Sequence, residues 1–420
     1  MAQSADGSAG LVTLEWTDGL YYKVELDFTK GSHYETGAAY AAAIVDACPG
    51  YEAAVDALLK VSVEGGKDLP DLDTLIANAK ELLADMPAGY AEEIAGMGAV
   101  FSYDVDELGD GRLSQNELLV FQVVHDVLDP ACSACAVYGD SSATGETIVG
   151  RNLDWYDLEA LSSLHAVTLF NNGENGNSVI GMGFLGQLFT PSSFSGAHVS
   201  AAVLDSDMNQ GYFSCEGRDA YLADIRYALE TEGSVEAVAQ YLENHEYTHS
   251  FLTILADESV AAVLESDQER PDAAGLRYAD SALREGIEWP YADAVAAVNA
   301  NFLPGTTDNY AGASNELRFA SYVSLFGEKL ADGGTMDMAD VLDVMSYGGT
   351  DGVAKSSGAI YRAESDYPSV LSYALNMTTL ELAACFGPTP GNPAQPVYIE
   401  VFSGDPFTNF WAEAGAVAYS

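Results

Sequence analysis

Residues 131–155 constrain the fold more than any other part of the sequence. Small and apolar residues begin this segment, the turn-forming string GDSSATG follows at 139–145, and strand-type residues then return. Two such runs joined by a short Gly- and Ser-rich connection are typical of a β-hairpin. The hairpin would hold the thiol of Cys132 close to Arg151 and Asp154, and we interpret it as a candidate active site.

A thiol in this position needs a base, because only the thiolate is a good nucleophile. No histidine lies next to the hairpin in the sequence. Breakage of the 131–132 peptide bond would supply one, since a free α-amine has a pKa of roughly 7.7 to 8.0 in model peptides. We expect Asp154 to orient the resulting ammonium group and Arg151 to favour the thiolate of Cys132.

The strings CSA at 132–134 and GRNLD at 150–154 resemble the cysteine N-terminal-nucleophile hydrolases. This group includes penicillin acyltransferase, acid ceramidase, phospholipase-B-like proteins and the bile-salt (choloylglycine) hydrolases. The resemblance implies a precursor that is cut before a cysteine and an α+β fold, a four-layer αββα sandwich. It also implies hydrolysis or transfer of amide-linked acyl groups, without a required cofactor.

Two later strings extend the resemblance. NANFL at 299–303 is similar to the strand that carries an oxyanion-binding asparagine, which we assign to Asn301, with Asn299 as the alternative. NELRF at 315–319 is similar to the helix that carries a site arginine, here Arg318. That arginine would either hold Arg151 and Asp154 in place or meet a substrate carboxylate, and the sequence leaves both open.

The nucleophile itself has two candidates. In the family the Arg and Asp usually follow the nucleophile by 16 and 19 positions; here they follow Cys132 by 19 and 22 positions and Cys135 by 16 and 19. We favour Cys132, because a small hydroxyl residue follows it and because a loop tip absorbs three extra residues easily. Residues three apart in a strand face opposite sides, so only one of the two can point at Asp154.

Other interpretations of these cysteines are weaker. A C-x-x-C string also occurs in redox and zinc sites, but zinc needs more ligands, and the remaining cysteines are scattered singly at Cys48, Cys215 and Cys385. An odd number of cysteines gives no disulfide framework.

An acidic stretch before the hairpin predicts a second site. Asp104, Asp106, Asp110 and Glu117 resemble the ligands of an EF-hand calcium loop, although their spacing is irregular. The alternative is a capping box, in which Ser114 begins an apolar helix and Glu117 follows three residues later. Calcium titration would separate the two interpretations.

The net charge of the chain excludes some classes of binding partner. Among 420 residues, 64 are acidic and 16 are Lys or Arg, which gives a net charge of −48. Such a chain would repel nucleic acid and anionic membrane surfaces. Its evenly spread acids suggest adaptation to high salt, which thermal unfolding with and without molar salt would test. No apolar run reaches the roughly 18 residues of a membrane span. The first residues lack an export signal, so we expect either no signal or a mature form with an added Met.

Hydrophobic periodicity divides the chain into a helical part, 1–131, and a part with runs of strands between runs of helices, 132–420, which suits a layered sandwich. The resemblance implies that the first part is a pro-segment and the second an αββα catalytic domain. Helices are predicted at 35–47, 51–61, 72–84, 88–97, 114–128, 219–229, 235–242, 316–330 and 338–345. Besides the hairpin, strands are predicted at 166–170, 178–182, 198–204, 251–256, 260–265, 380–385 and 397–402.

The sequence thus predicts an autoprocessing amidohydrolase or acyltransferase that acts on a small acylated substrate. The alternative is a non-catalytic, acidic secreted binding protein with an EF-hand-like calcium loop on the same fold. Intact-mass spectrometry would distinguish them, because only the enzyme requires cleavage before Cys132. Localisation, either extracytoplasmic or in the cytoplasm of a halophile, and any homo-oligomer are left open.

Overall fold

The computed structural model describes residues 10–65, 71–127, 131–155, 159–206, 214–311, 313–349, 358–363, 367–387, 395–412 and 418–419. The strands are β1 (Val12–Thr17), β2 (Tyr21–Asp27), β3 (Ala131–Val137), β4 (Ile148–Asp154), β5 (His165–Asn171), β6 (Val179–Phe184), β7 (Ser192–Ser195), β8 (Ser200–Asp205), β9 (Phe251–Ala256), β10 (Ala261–Ser266), β11 (Gly275–Arg277), β12 (Ala294–Ala297), β13 (Ser369–Asn376), β14 (Leu382–Phe386), β15 (Tyr398–Phe402) and β16 (Ala418–Tyr419).

The helices are α1 (His33–Ala47), α2 (Tyr51–Gly65), α3 (Leu72–Leu82), α4 (Ala88–Val100), α5 (Gln115–Gln122), α6 (Val124–Val127), α7 (Glu159–Ser162), α8 (Tyr221–Thr231), α9 (Val235–Glu243), α10 (Ala313–Lys329) and α11 (Met338–Met345). Within the described residues, no helix is both long enough and apolar enough to cross a bilayer.

The strands form two sheets. The larger sheet has nine strands in the order β1-β2-β5-β6-β7-β8-β9-β10-β11, and the smaller has seven in the order β12-β3-β4-β13-β14-β15-β16. One apolar core joins the facing sides of the sheets, and Tyr21 of the larger sheet stacks on Phe386 of the smaller one with ring centroids 4.5 Å apart. Because both faces of each sheet are apolar, each outer face must be covered by helices.

Helices cover both outer faces. The far side of the smaller sheet carries Cys135, Val137 and Ile148, which form a second apolar core with α10 and α11. Helices α8 and α9 contact strands of the larger sheet, and α1 contacts β1 and β2. The layers are therefore helix, sheet, sheet and helix, as predicted.

The first part of the chain differs from the expectation of a purely helical segment. Strands β1 and β2 precede its helices, and β2 pairs in parallel with β5, so residues 12–27 form an edge of the larger sheet. The alternating pattern VTLEWT of β1 is half-exposed, which is typical of an edge strand. Separation of the chain at 131–132 stays a prediction.

Candidate active site

The hairpin of β3 and β4 sets the geometry of the site. In its register Cys132 lies opposite Leu153, Ala134 opposite Arg151, and Ala131 opposite Asp154. Directly opposite residues share a face and successive residues alternate, so the side chains of Cys132 and Arg151 point to the same side. The side chain of Asp154 starts on the other side, which differs from our expectation that the hairpin presents both groups to the thiol.

The thiol of Cys132 lies between the two sheets. It is fully buried, and Nη2 of Arg151 donates to its sulfur at 3.3 Å. The guanidinium group is fixed by the larger sheet, since it also donates to Oγ of Ser192 at 2.9 Å and to the carbonyl of Val203 at 2.7 Å. Burial raises the pKa of the Cys132 thiol to about 11, and the positive charge of Arg151 acts in the opposite direction.

The backbone of Cys132 is held on both sides of its Cα. Its N–H donates to Oδ1 of Asn299 at 3.1 Å, and its carbonyl accepts from Nη1 of Arg318 at 2.6 Å. Arg318 also donates to the same Asn299 oxygen, at 2.8 Å. A closed set of three residues therefore fixes the nitrogen that cleavage would convert into an amine.

Two further contacts orient this set. Asn315, one turn before Arg318 on α10, accepts from Nη2 of that arginine at 2.9 Å and donates to the carbonyl of Asn299 at 3.1 Å. Nδ2 of Asn299 donates to the carbonyl of Asp205 at the end of β8, at 2.7 Å. Asn299 thus meets Cys132 as an acceptor, through Oδ1. Burial lowers the pKa of Arg318, although nearby Asp154 favours its charged form.

Asn301 does not contact Cys132 in the structure. It is buried beside Asn309, whose Oδ1 accepts from its backbone N–H at 2.8 Å, and its own Oδ1 accepts from Oγ of Ser206 at 3.2 Å. The nearest acceptor for its Nδ2 is Asp267 at 3.5 Å. The alternative that the sequence left open, Asn299, is the asparagine at the candidate nucleophile.

Asp154 is buried and only partly satisfied. Its Oδ1 accepts from Oγ of Ser369 at 2.6 Å, while its Oδ2 has no hydrogen-bond partner among the described residues and lies 4.0 Å from Nη1 of Arg362. Burial raises the pKa of this carboxyl above its ordinary 3.8, against the lowering effect of Arg362 and Arg318. A cation bound at Oδ2 would offset the cost of burying the charged carboxylate and would lower its pKa.

Sequence reasoning missed three residues of the site. Asn315 was visible only as part of a matching string, and Ser369 and Arg362 lie more than 200 positions after the hairpin. Strand β13, which pairs with β4 and begins at Ser369, was not predicted. A search for polar residues at the ends of strands that border the hairpin would have found Ser369, and no local signal identifies Arg362.

Cys135 lies in different surroundings from Cys132. It is also fully buried, but its sulfur faces α11, where Sδ of Met345 lies 3.6 Å away. Burial raises its pKa well above the usual range, and no nearby cation offsets the effect. Because the two thiols point to opposite faces of β3, they cannot bind one zinc ion together. Neither thiol forms a disulfide.

The acidic stretch forms the capping box. Oγ of Ser114 accepts from the N–H of Glu117, and the Glu117 carboxylate accepts from the N–H of Ser114 at 2.8 Å and of Glu107 at 2.9 Å. Asp106 accepts from Oγ of Ser114 at 2.6 Å, Asp110 accepts from the N–H of Arg112, and Asp104 is exposed.

A calcium site at Asp104, Asp106, Asp110 and Glu117 stays a prediction. Among the described residues, a different group brings potential metal-ligand atoms within 4.8 Å of one another: Asp219, Asp224 and His245.

Comparisons with known proteins give similar structures only. No family model matches the chain, and no curated protein matches it. A Caenorhabditis elegans ortholog of N-acylethanolamine-hydrolyzing acid amidase aligns at 14% identity with a TM-score of 0.37, covering 59% of this chain and 93% of its own.

Two bacterial structures also align with the chain. A variant of the conjugated bile acid hydrolase from Clostridium perfringens aligns at 12% identity and a TM-score of 0.41, over 69% of this chain and 97% of that one. Penicillin V acylase from Agrobacterium tumefaciens aligns at 11% and 0.31, over 64% and 86%. All three proteins are N-terminal-nucleophile hydrolases, the group that the hairpin resembles. All three TM-scores are below 0.5, so the function of this chain has to be inferred from the contacts of its own residues.

Proposed function

We propose that this chain is an autoprocessing cysteine N-terminal-nucleophile enzyme that cleaves an amide or other acyl bond of a small acylated substrate, as a hydrolase or an acyltransferase. The observation that carries the proposal is the environment of Cys132. Its sulfur contacts Arg151, and its backbone N–H and carbonyl are held by Asn299 and Arg318. A structural cysteine needs none of these contacts, as Cys135 demonstrates.

Maturation begins with the thiol of Cys132. The sulfur attacks the carbonyl carbon of Ala131, the thiol proton passes to the peptide nitrogen, and the C–N bond breaks to leave a thioester and a free α-amine. Water then hydrolyses the thioester, which releases a carboxyl group on Ala131 and restores the thiol. Asn299 Oδ1, which accepts a hydrogen bond from this nitrogen, supports its conversion into an amine.

Substrate turnover uses the new amine as the base. With a pKa of roughly 7.7 to 8.0 in model peptides, the amine takes the thiol proton near neutrality. The thiolate beside Arg151 attacks the substrate carbonyl, and the ammonium returns its proton to the departing nitrogen. Asp154, whose Oδ2 accepts no hydrogen bond among the described residues, is suited to orient that ammonium. Water or an amine then takes the acyl group from the sulfur.

Asn299 rather than Asn301 lies at the candidate nucleophile. We assigned Asn301 to the oxyanion, but its side chain faces Ser206 and Asp267. Asn299 lies at the reacting nitrogen, and the oxygen of its side chain, an acceptor, is the atom that contacts this nitrogen. Its Nδ2 gives one of its two N–H groups to the Asp205 carbonyl. We therefore give Asn299 the role of holding the nucleophile's nitrogen.

A panel of N-acyl amino acids, lactams and lysophospholipids tests the activity. The wild-type protein is expected to release free acid from at least one class and to carry a hydroxylamine-sensitive acyl group on the peptide that begins at Cys132. The Cys132→Ala variant is expected to do neither, whereas Cys135→Ala does both. Turnover by Cys132→Ala would overturn the proposal, and a single inert chain would support the binding protein instead.

A further inference from the structure

A surface cavity of about 440 Å³ lies at the end of β3 that is remote from Cys132. Tyr138 directly follows β3, and Asp293 directly precedes β12, the strand that pairs with β3. Six positions of extended chain separate Tyr138 from Cys132, which is about 20 Å at roughly 3.3 Å per residue. The cavity therefore does not belong to the candidate active site. Its walls include four aromatic side chains and two carboxylates: Tyr138, Tyr278, Trp289, Tyr291, Asp280 and Asp293.

Two of the aromatic rings are fixed by hydrogen bonds to the backbone. Nε1 of Trp289 donates to the carbonyl of Ala294 at 2.8 Å, and the hydroxyl of Tyr291 donates to the carbonyl of Val323. The two rings are nearly perpendicular, at 85°, with their centroids 5.0 Å apart. Rings at right angles can contact a rounded group from two sides. Because their polar atoms are engaged by the backbone, these rings offer a ligand π surface.

The two carboxylates lie beside the ring of Tyr138. Burial, followed by the negative charges of Asp293 and Asp280, raises the pKa of Tyr138 to about 12, so this phenol is neutral at physiological pH. Oδ2 of Asp293 accepts from the N–H of Asp140 at 3.1 Å, and Asp280 is exposed. The cavity thus combines negative charge with aromatic surface.

The protein itself supplies little positive charge here. Among the described residues, those that line the cavity include no Lys, Arg or His. The arginines on either side of Asp280 in the sequence, Arg277 and Arg284, pair with Glu265 and Asp308 instead. The net charge of −48 also attracts cations to the surface at long range. A cationic ligand is therefore complementary to the cavity.

We propose that this cavity binds a small organic cation with a quaternary ammonium head group. Such a group is attracted both to the faces of Trp and Tyr rings and to carboxylates, and it donates no hydrogen bond of its own. The volume of the cavity is within the range of small-molecule sites. The proposal does not depend on the proposed function, because the cavity is remote from Cys132.

A sugar also packs on aromatic rings, but its hydroxyl groups need donors as well as acceptors. Three of the four rings have their donor engaged elsewhere: Trp289 and Tyr291 by backbone carbonyls, and Tyr278 by Glu236, to which its hydroxyl donates at 3.1 Å. None of these three partners lines the cavity. The side chains thus offer mainly acceptors and π surface, which favours a cation over a sugar.

Titration of the purified full chain with choline tests the proposal. The neutral alcohol 3,3-dimethylbutan-1-ol has the same shape as choline without the charge, so the pair isolates the contribution of the cation. Binding is followed by ligand-observed NMR, with sodium chloride holding the ionic strength constant. We expect choline to bind about tenfold more tightly than the alcohol. The same ratio is expected in Cys132→Ala, because the active site takes no part.

Substitutions at the cavity separate the charge from the rings. Asp293→Asn is expected to weaken choline binding by about threefold and to leave binding of the alcohol unchanged. Its backbone φ of 52° lies in the left-handed region, which asparagine also adopts, so the variant should keep its shape. Tyr278→Leu is expected to weaken choline binding by about threefold through the loss of one ring.

Asp332→Asn is the matched control. Asp332 is exposed, has a φ of 54° and does not line the cavity, so its substitution removes the same charge from the same backbone conformation. It is expected to leave choline binding unchanged. Equal affinities of choline and the alcohol in wild type would overturn the proposal, because the cavity would then bind apolar groups regardless of charge. Equal effects of Asp293→Asn and Asp332→Asn, or unchanged choline binding in Tyr278→Leu, would also overturn it.

Discussion

Cys132 and Cys135 lie three residues apart on one strand, and both are fully buried, yet among the described residues only the Cys132 sulfur accepts from an arginine. On one face of the hairpin, the Cys132 sulfur meets Arg151 between two sheets. On the other face, the Cys135 sulfur meets the thioether of Met345 beneath a helix. The period of two in a β-strand assigns one thiol to a charged interior and the other to an apolar core.

This difference supports the proposal that Cys132 rather than Cys135 is the nucleophile, because the two residues are of one type and differ in their surroundings. Burial alone raises the pKa of both thiols, and only at Cys132 does a cation counteract it. Hydrogen bonds on both sides of the residue also restrict the Cys132 backbone, which favours attack on the preceding carbonyl. The counts of positions in the sequence favoured Cys135, whereas these contacts favour Cys132.

Exchange of the thiols for alanine tests the comparison with the largest expected effect. Cys132→Ala is expected to abolish cleavage completely, because it removes the thiol proposed to attack the 131–132 bond. Cys135→Ala is expected to cleave normally and to lose about 1 kcal/mol of stability, a common cost of a buried substitution. Electrophoresis of both purified variants over time gives the answer, and cleavage that depends on Cys135 would reverse the comparison.

Removal of the cation should make the Cys132 face resemble the Cys135 face. Arg151→Met is expected to slow cleavage by about tenfold to a hundredfold, since a charge-assisted hydrogen bond to the sulfur is lost. Arg277→Met is the control, because Arg277 is an equally buried arginine that pairs with Glu265 instead of a thiol. It should lose about 3–5 kcal/mol of stability but cleave at the normal rate wherever it is folded. Equal cleavage rates in the two variants would contradict the role of Arg151.

Asn299 and Asn301 form a second matched pair. Each alanine variant is expected to lose about 1–3 kcal/mol of stability, because each leaves buried partners unsatisfied. Only Asn299→Ala should also slow cleavage, by about tenfold, since only Asn299 holds the nitrogen of Cys132. Urea unfolding combined with a cleavage time course separates the two effects. Slower cleavage in Asn301→Ala alone would restore our first assignment.

The smallest expected effect concerns the pH dependence of stability. Burial raises the pKa of Asp154 above 3.8 in the uncut chain, so its contribution favours folding at low pH and is lost as the pH rises through the raised pKa. In a Cys132→Ala background, Asp154→Asn should therefore be more stable than its parent at neutral pH, with a gap that closes below 3.8.

Asp340→Asn in the same background is the control of opposite sign. Burial acts to raise the pKa of Asp340, but its contact with Lys329 outweighs this and lowers the pKa. Its contribution is therefore present at neutral pH and lost on acidification, so its removal should destabilise the chain at neutral pH. Denaturant unfolding at several pH values checks both variants, and a destabilising Asp154→Asn would show that Arg362 already satisfies the carboxylate.

Local patterns predicted the local features of this structure. The hairpin, most helices and several apolar strands of both sheets follow from periodicity and turn residues, and the contact of the thiol with Arg151 follows from the hairpin. The strands that were missed are β1, β2, β7, β11, β12, β13 and β16. Of these, β7, β11, β12 and β16 have two to four residues, too few to carry a pattern, and β1 is half-exposed.

Non-local features of the site could not be predicted in the same way. Asn299 and Asn301 lie two positions apart, so strand alternation does not distinguish them. Only the contacts of Asn299 with Asp205 and Arg318 show which asparagine faces Cys132. Ser369 and Arg362 reach Asp154 because β13 pairs with β4, and that pairing joins segments more than 200 residues apart. We expected the side chains of Arg151 and Asp154 to lie on the same face of the hairpin. They lie on opposite faces, because residues three positions apart in a strand point to opposite sides.

The N-terminal residue of the larger fragment tests the central claim most directly. Intact-mass spectrometry of freshly purified wild-type protein should give two chains, of which the larger begins at Cys132 and keeps a free thiol. A fragment that begins at Cys135, or an uncut chain that nevertheless hydrolyses amides, would contradict the account.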